Sequence, residues 1–376
     1  MMYTVPLKGV LKKACVLLVV LICGTLVLAC PQDSIFYGIS YEVKPLDPRI
    51  KGTPTNIVTD GDKLYVASKF NKTIYQYGIL PSGSLGWSTV EPAPGGEIME
   101  LAATQDYLYA LTGEPGTMSL RRKHTKGADL NWETISPDGV YKNLQTIYGA
   151  GTRLFASAMI STTEFAILYE EDTSNELHVL KSDAKCLNSA VYDETNYYLA
   201  TAGDGIITFS NPSTPITNTE GLNILGLIRI SDTIVAVSSN GQLLYGDSSG
   251  FTVSSPGYNF TGALALTKVD EEVHVLLLGI HGSASSTTHG YREIVLTDGT
   301  LNPGNLGLNT PGKDPDHSSV SNYDTYNSTL GKHPVTSILQ APDTLDTTMT
   351  LFAATTKNGL WSYRQRNREW QWNAEE

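Results

Sequence analysis

Cysteine is scarce in this chain. There are four, and Cys15, Cys23 and Cys30 all lie in an apolar leader or at its end. Only Cys186 stands beyond it, so a disulfide framework is excluded and the remaining chain must be stabilised by burial. Cys186 itself reads as a small buried apolar residue rather than a nucleophile, because no histidine is close in sequence. Basic charge is scarce as well: 26 lysines and arginines face 38 acids, for a formal charge of −12. That balance excludes nucleic acid as a partner and argues against a direct electrostatic grip on anionic lipid heads. A sustained helical period is missing after the leader, where apolar and polar residues alternate with period two.

The leader itself is well patterned. Lys8, Lys12 and Lys13 occur without an acid, and the stretch from Ala14 to Ala29 contains nothing charged. A charged segment followed by an apolar one is the layout of a signal peptide. A spanning helix needs about 20 apolar residues, so this run is short for a permanent anchor. It ends Leu26-Val27-Leu28-Ala29-Cys30, which resembles the lipobox of bacterial lipoproteins. The match is to the looser spirochaetal kind, because Leu28 stands where a smaller residue is usual. The resemblance implies cleavage before Cys30 and diacylation of that cysteine. It also implies a protein held on the inner or outer membrane of the cell envelope, facing the periplasm or the surface. Two acyl chains give stable attachment where one does not. An uncleaved anchor and a plain signal peptide cut nearby are the alternatives. Loss of the three leader lysines takes the charge from −12 to −15 over a mature chain of 347 residues, long enough for a sizeable core.

Internal repetition organises that mature chain. Seven apolar runs share one look, beginning at Leu64, Leu108, Leu154, Tyr198, Ile234, Val275 and Leu351, with spacings of 44, 46, 44, 36, 41 and 76. Ahead of each lies another short apolar stretch and a polar turn, as in Asn56-Ile57-Val58-Thr59-Asp60-Gly61. After it come a glycine or asparagine turn and a third strand, such as Asn240-Gly241-Gln242-Leu243-Leu244-Tyr245 or Asn358-Gly359-Leu360-Trp361-Ser362-Tyr363. Tryptophan marks a fourth strand at Trp87, Trp132, Trp370 and Trp372. Four-stranded units of this kind cannot bury both faces alone and must stack on one another. Radial stacking places the small residues Ala67, Ala110, Ala156, Ala200, Ala236 and Ala353 near an axis. The expected class is all-β, a β-propeller of seven four-stranded blades, with eight blades and a linear β-solenoid as alternatives.

The expected organisation is residues 1–29 as signal peptide, 30–52 as lipidated N-terminus and tether, and 53–376 as propeller. The 76-residue spacing is explained by an inserted loop at about 302–333, rich in Gly, Pro, Asn, Asp and Ser. Ser34 to Val43 is a candidate extra strand for the closing blade.

Three groups of residues carry possible contacts. In the insertion, Asp316, His317 and Asp324 stand with Asp314 and His333, but their spacing fits no calcium loop or zinc site, so no metal is expected. His281 and His289 enclose a serine-rich turn without an acid or a G-x-S-x-G elbow, which favours a hairpin loop over a nucleophile. Arg121 and Arg122, with Lys123, His124 and Lys126, form the one basic cluster, able to receive an anionic glycan, a lipid head or a protein. The Asp-box, the tryptophan-aspartate ending, the kelch double glycine and the quinoprotein docking motif are all missing, and no cofactor is expected. The stretch Asn358 to Tyr363 looks like the third strand of bacterial sensor and surface propellers.

The function expected from these features is a non-catalytic binding or scaffold protein of the envelope, with a protein or glycan partner. A propeller enzyme acting on a carbohydrate or lactone is one alternative, and an assembly factor for outer-membrane proteins is another. Ionisable groups converging at the channel mouth would mark the enzyme.

Overall fold

A computed structural model describes residues 50–114, 117–126, 131–137, 141, 143–171, 175–268, 274–281, 290–296, 330, 333–341, 351–366 and 369–375. Cys30, the segment Ser34 to Val43, His289, Asp316, His317 and Asp324 lie outside them. Among the described residues there is no α-helix, and none is long and apolar enough to cross a membrane.

The strands follow one another in antiparallel meanders, of which the described residues contain seven: Val58–Thr89, Ile98–Pro137, Leu144–Ala184, Leu187–Thr208, Ile224–Ser254, Asn259–Leu296 and Val335–Ala374. Each apolar run read from the sequence is the second strand of its meander, from Leu64–Ala67 to Leu351–Thr355. The centres of these strands are apolar because both faces are covered, and period two sends alternate residues to opposite neighbours. Leu64 and Val66 pack against the seventh meander with Phe352, Ala354 and Leu360. Tyr65 and Ala67 pack against the second with Leu101, Leu108 and Ala110. Comparable clusters fill the second-to-third, third-to-fourth, fourth-to-fifth and fifth-to-sixth junctions. Tyr291 meets Trp372 between the sixth and seventh, ring centroids 5.9 Å apart. The meanders therefore stack radially around an axis, and the fold is a β-propeller.

The first and seventh meanders meet in a seam of aromatic and polar contacts. Phe352 lies edge-on to Tyr77 at 4.9 Å and to Trp87 at 5.3 Å. Trp87 Nε1 donates to Glu375 Oε2 at 2.7 Å, and Ser362 donates to the other oxygen of that carboxylate. Ile50 is wholly buried there and its carbonyl accepts from Leu360 N, while Gly52 O accepts from Gly359 N. The fold thus takes in Ile50 to Gly52, residues expected to end the tether.

Two of the turns between first and second strands, those of the first and fourth meanders, use one device. Asp60 Oδ1 accepts the N–H groups of Asp62 and Lys63, and its Oδ2 accepts the Tyr65 hydroxyl at 2.9 Å. Asp193 does the same with Thr195, Asn196 and Tyr198. In both, the carboxylate folds its own turn and holds a tyrosine five residues on.

Two meanders depart from four strands. The fourth has three, because Pro212 and Pro215 interrupt the segment that runs beside Ile206–Thr208, and proline cannot sustain a ladder. That segment still bonds through Ile216 N to Ile206 O at 2.8 Å. The sixth has three among the described residues, its sequence after Leu296 lying outside them. The outer strands of the second and third meanders also pair in parallel, Glu176 with Ser136 and Leu177 with Pro137, joining both into one eight-stranded sheet.

Candidate functional site

The inner strands surround an axial cavity of about 520 Å³. Every meander contributes to its wall, among them Asn56, Leu101, Tyr148, Ser189, Leu227, Thr261 and Ser337. Neighbouring inner strands diverge around the axis, so they cannot form a ladder with each other and their facing backbone groups need other partners. Side chains supply them. Ser337 Oγ accepts from Ile57 N at 3.1 Å, Ser189 Oγ accepts from Leu227 N at 3.2 Å, and Thr146 Oγ1 donates to Leu187 O at 2.9 Å. Glu100 Oε1 accepts from Asn56 N at 2.8 Å, and its Oε2 pairs with Lys69 at 3.0 Å.

These groups sit where the inner strands begin, and six of the seven strands are bulged there. A bulge re-aims a side chain at the cost of a ladder bond. It turns Asn188 toward Ile224 O, to which its Nδ2 donates at 2.8 Å, and leaves Thr336 exposed on the cavity wall. Between the fifth and sixth meanders, and between the second and third, backbone comes into direct contact. A Cβ at Gly226 would stand 2.2 Å from Gly262 O, and one at Gly149 would stand 1.8 Å from Ala103 O.

The wall, among the described residues, carries no carboxylate, imidazole, amine or guanidinium. Its one titratable group is the Tyr148 phenol, pushed well above its usual value by burial and by the Glu100 charge. Cys186 stands nearby, half-buried rather than fully buried as the sequence suggested, with Sγ 3.3 Å from Ser157 Oγ and 4.0 Å from Thr146 Oγ1. No group of three or more potential metal ligands occurs among the described residues.

The end at which the inner strands begin also carries two exposed apolar side chains. Phe70, 60% exposed, lies in the turn after the second strand of the first meander, and Ile160, 49% exposed, in the equivalent turn of the third. Phe70 has φ of +65°, an outlier for a bulky residue, and is held there by its N–H donating to Ile98 O at 2.8 Å.

The basic cluster does not form a face, because the alternation of Ser119–His124 disperses it. Arg122 is 7% exposed, pairs with Glu170 and Glu133, donates to Asn175 and lies over the Tyr107 ring at 4.7 Å. It ties the second meander to the third. Burial lowers the pKa of Lys123, whose Nζ donates to Glu91 O; Lys126 pairs with Asp62 at 2.7 Å. Arg121 packs beside Gly95, with its Nε buried and unbonded. His281 ends its strand exposed, paired in register with Asn259. The sequence reading missed the bulged inner-strand positions altogether; their signal is a serine, threonine, asparagine, glutamate or glycine two or three residues into each first strand.

No protein-family model and no curated protein matches the chain. Among solved structures it is similar to YCF48 bound to D1 peptide, at 14% identity and a TM-score of 0.51, over 85% of this chain and 94% of that one. It is also similar to the WD40 β-propeller domain of Doa1, at 10% identity and a TM-score of 0.50, over 85% and 95%. Both likenesses establish the fold.

Proposed function

We propose that the chain is a lipid-anchored protein of the cell envelope whose propeller is a non-catalytic binding module for a protein partner. The observation that carries this reading is the uncharged wall of the axial cavity. Hydrolysis of a carbohydrate or lactone needs an acid and a base within reach of the reacting atoms, and the described wall supplies neither. A glycan would gain little from a wall whose only aromatic residue, among the described residues, is Tyr148. The solved neighbour with a bound peptide supports a peptide-binding role for this architecture. The anchor rests on the leader and on Cys30, which follows it in the sequence.

The test is affinity capture of the protein from its native membrane, with mass spectrometry of the N-terminal peptide and of co-purifying proteins. A diacylated Cys30 at the N-terminus and a stoichiometric partner are expected. Cys30→Ser should move the protein from the membrane to the soluble fraction. An unmodified Cys30 defeats the anchor, and absence of any partner defeats the binding module.

A further inference from the structure

We infer that the cavity mouth at the end where the inner strands begin takes an uncharged segment of the partner protein, with Phe70 and Ile160 as contacts on its rim. This deepens the binding-module reading and rests on it. The argument is one of complementarity. A charged side chain entering the cavity would lose its hydration and meet no opposite charge on the described wall, the carboxylate at its mouth, Glu100, being already paired with Lys69. A neutral segment carries amide N–H and C=O groups that also need partners, and the bulged inner strands provide them. Asn188, Thr261 and Thr336 on bulged strands, with Asn56 ahead of the first strand, line the wall, interleaved with aliphatic side chains such as Ile338 and Leu227. The Asn188 amide and the Thr336 hydroxyl already donate to Ile224 O and Ala354 O, so their oxygens face a ligand as acceptors. The size, about 520 Å³, lies within the range of cavities that enclose a ligand.

The rim adds a second, independent observation. Turns after the second strand lie beside the starts of inner strands: Lys69 N donates to Thr53 O, Ile98 N to Asn71 O, and Met159 N to Asn143 O. Phe70 and Ile160 therefore stand at the same end of the molecule as the bulges. Phe70 presents a large apolar ring to solvent from a left-handed backbone conformation that is strained for an L-residue. Local strain of this kind persists where surrounding structure enforces it, and it clusters at binding sites.

The experiment uses the mature protein with a phage-displayed library of random heptapeptides as the probe. Enriched peptides should be depleted of Asp, Glu, Lys and Arg relative to the unselected library. Thr336→Trp places a large side chain at an exposed wall position; it should keep the wild-type melting temperature and weaken the best peptide at least tenfold. Phe70→Ala should weaken the same peptide several-fold. No enrichment, a fixed charged residue in the selected peptides, or undiminished binding to folded Thr336→Trp overturns the inference. A native partner still captured by Thr336→Trp would show that binding survives without the cavity, so the two readings can fail separately.

Discussion

Replacing Phe352 with alanine tests the closure of the ring where it is most concentrated. The side chain is 1% exposed and lies edge-on to both Tyr77 and Trp87. Phe→Ala at a buried position costs about 3–5 kcal/mol, from lost transfer energy and the cavity left behind. The upper half of that range is expected, since two aromatic partners from the first meander are lost together. With an unfolding entropy near 2.1 cal/mol/K per residue over the roughly 250 described residues, the melting temperature should fall by about 7–9 °C. Urea unfolding of the mature protein gives the free energy, and hydrogen exchange locates it. Protection should fall most in residues 54–89 and 335–374, the two meanders that share the seam, and least in the third. Val253→Ala, at a position 39% exposed, should change stability by less than about 0.5 kcal/mol. A loss below about 1 kcal/mol for Phe352→Ala, or a loss of protection spread evenly around the ring, refutes the argument that this seam closes the propeller.

Other substitutions test separate features. Arg122→Ala leaves the Glu170 carboxylate buried without its guanidinium and should cost about 3–5 kcal/mol in urea unfolding, whereas the double variant Arg122→Met, Glu170→Leu should recover most of it. Burial raises the pKa of Asp193, but the N–H groups of Asn196 and Thr195 and the Tyr198 hydroxyl outweigh it and hold the carboxyl below its usual range. Its contribution is therefore complete above the ordinary carboxylate pKa and is lost as pH falls through the depressed value; Asp193→Asn should flatten the acid limb of a stability profile below the ordinary carboxylate pKa. The partner Tyr198 is pushed up to about 12, chiefly by burial and then by its bond to Asp193, so it stays protonated across that range. Gly149→Ala drives a methyl into Ala103 O and should cost about 1–3 kcal/mol by thermal melting.

Much of the fold is legible in the sequence because burial on both faces writes an unbroken apolar run. Leu64-Tyr65-Val66-Ala67 and Leu351-Phe352-Ala353-Ala354 are such runs, and both are second strands. Trp87 and Trp372 likewise mark outer strands, since an indole fills the wider gap away from the axis. The site is less legible. A bulge is a backbone event, and a serine that caps its neighbour's N–H, as Ser337 does for Ile57 across 280 positions, looks like any polar residue in a strand. Arg121 and Arg122 look like a patch when written in a row, yet Arg122 is carried into the junction with the third meander, whose Glu170 is 48 positions away. The chain also gives no local sign that Glu176 will pair with Ser136. Each of these depends on which meander lies alongside, and that is decided by closure of the ring.

In the proposed function, a membrane-tethered propeller grips a protein through the mouth where its inner strands begin. That grip is tested most directly by photo-crosslinking in the native membrane, with a crosslinking amino acid placed either at Asn71 or Ile160, on that end, or at Gly61 or Thr195, on the turns at the opposite end. One crosslinked protein band is expected from the first pair and none from the second. A band arising from Gly61 or Thr195 alone, or no band from any position, would contradict it.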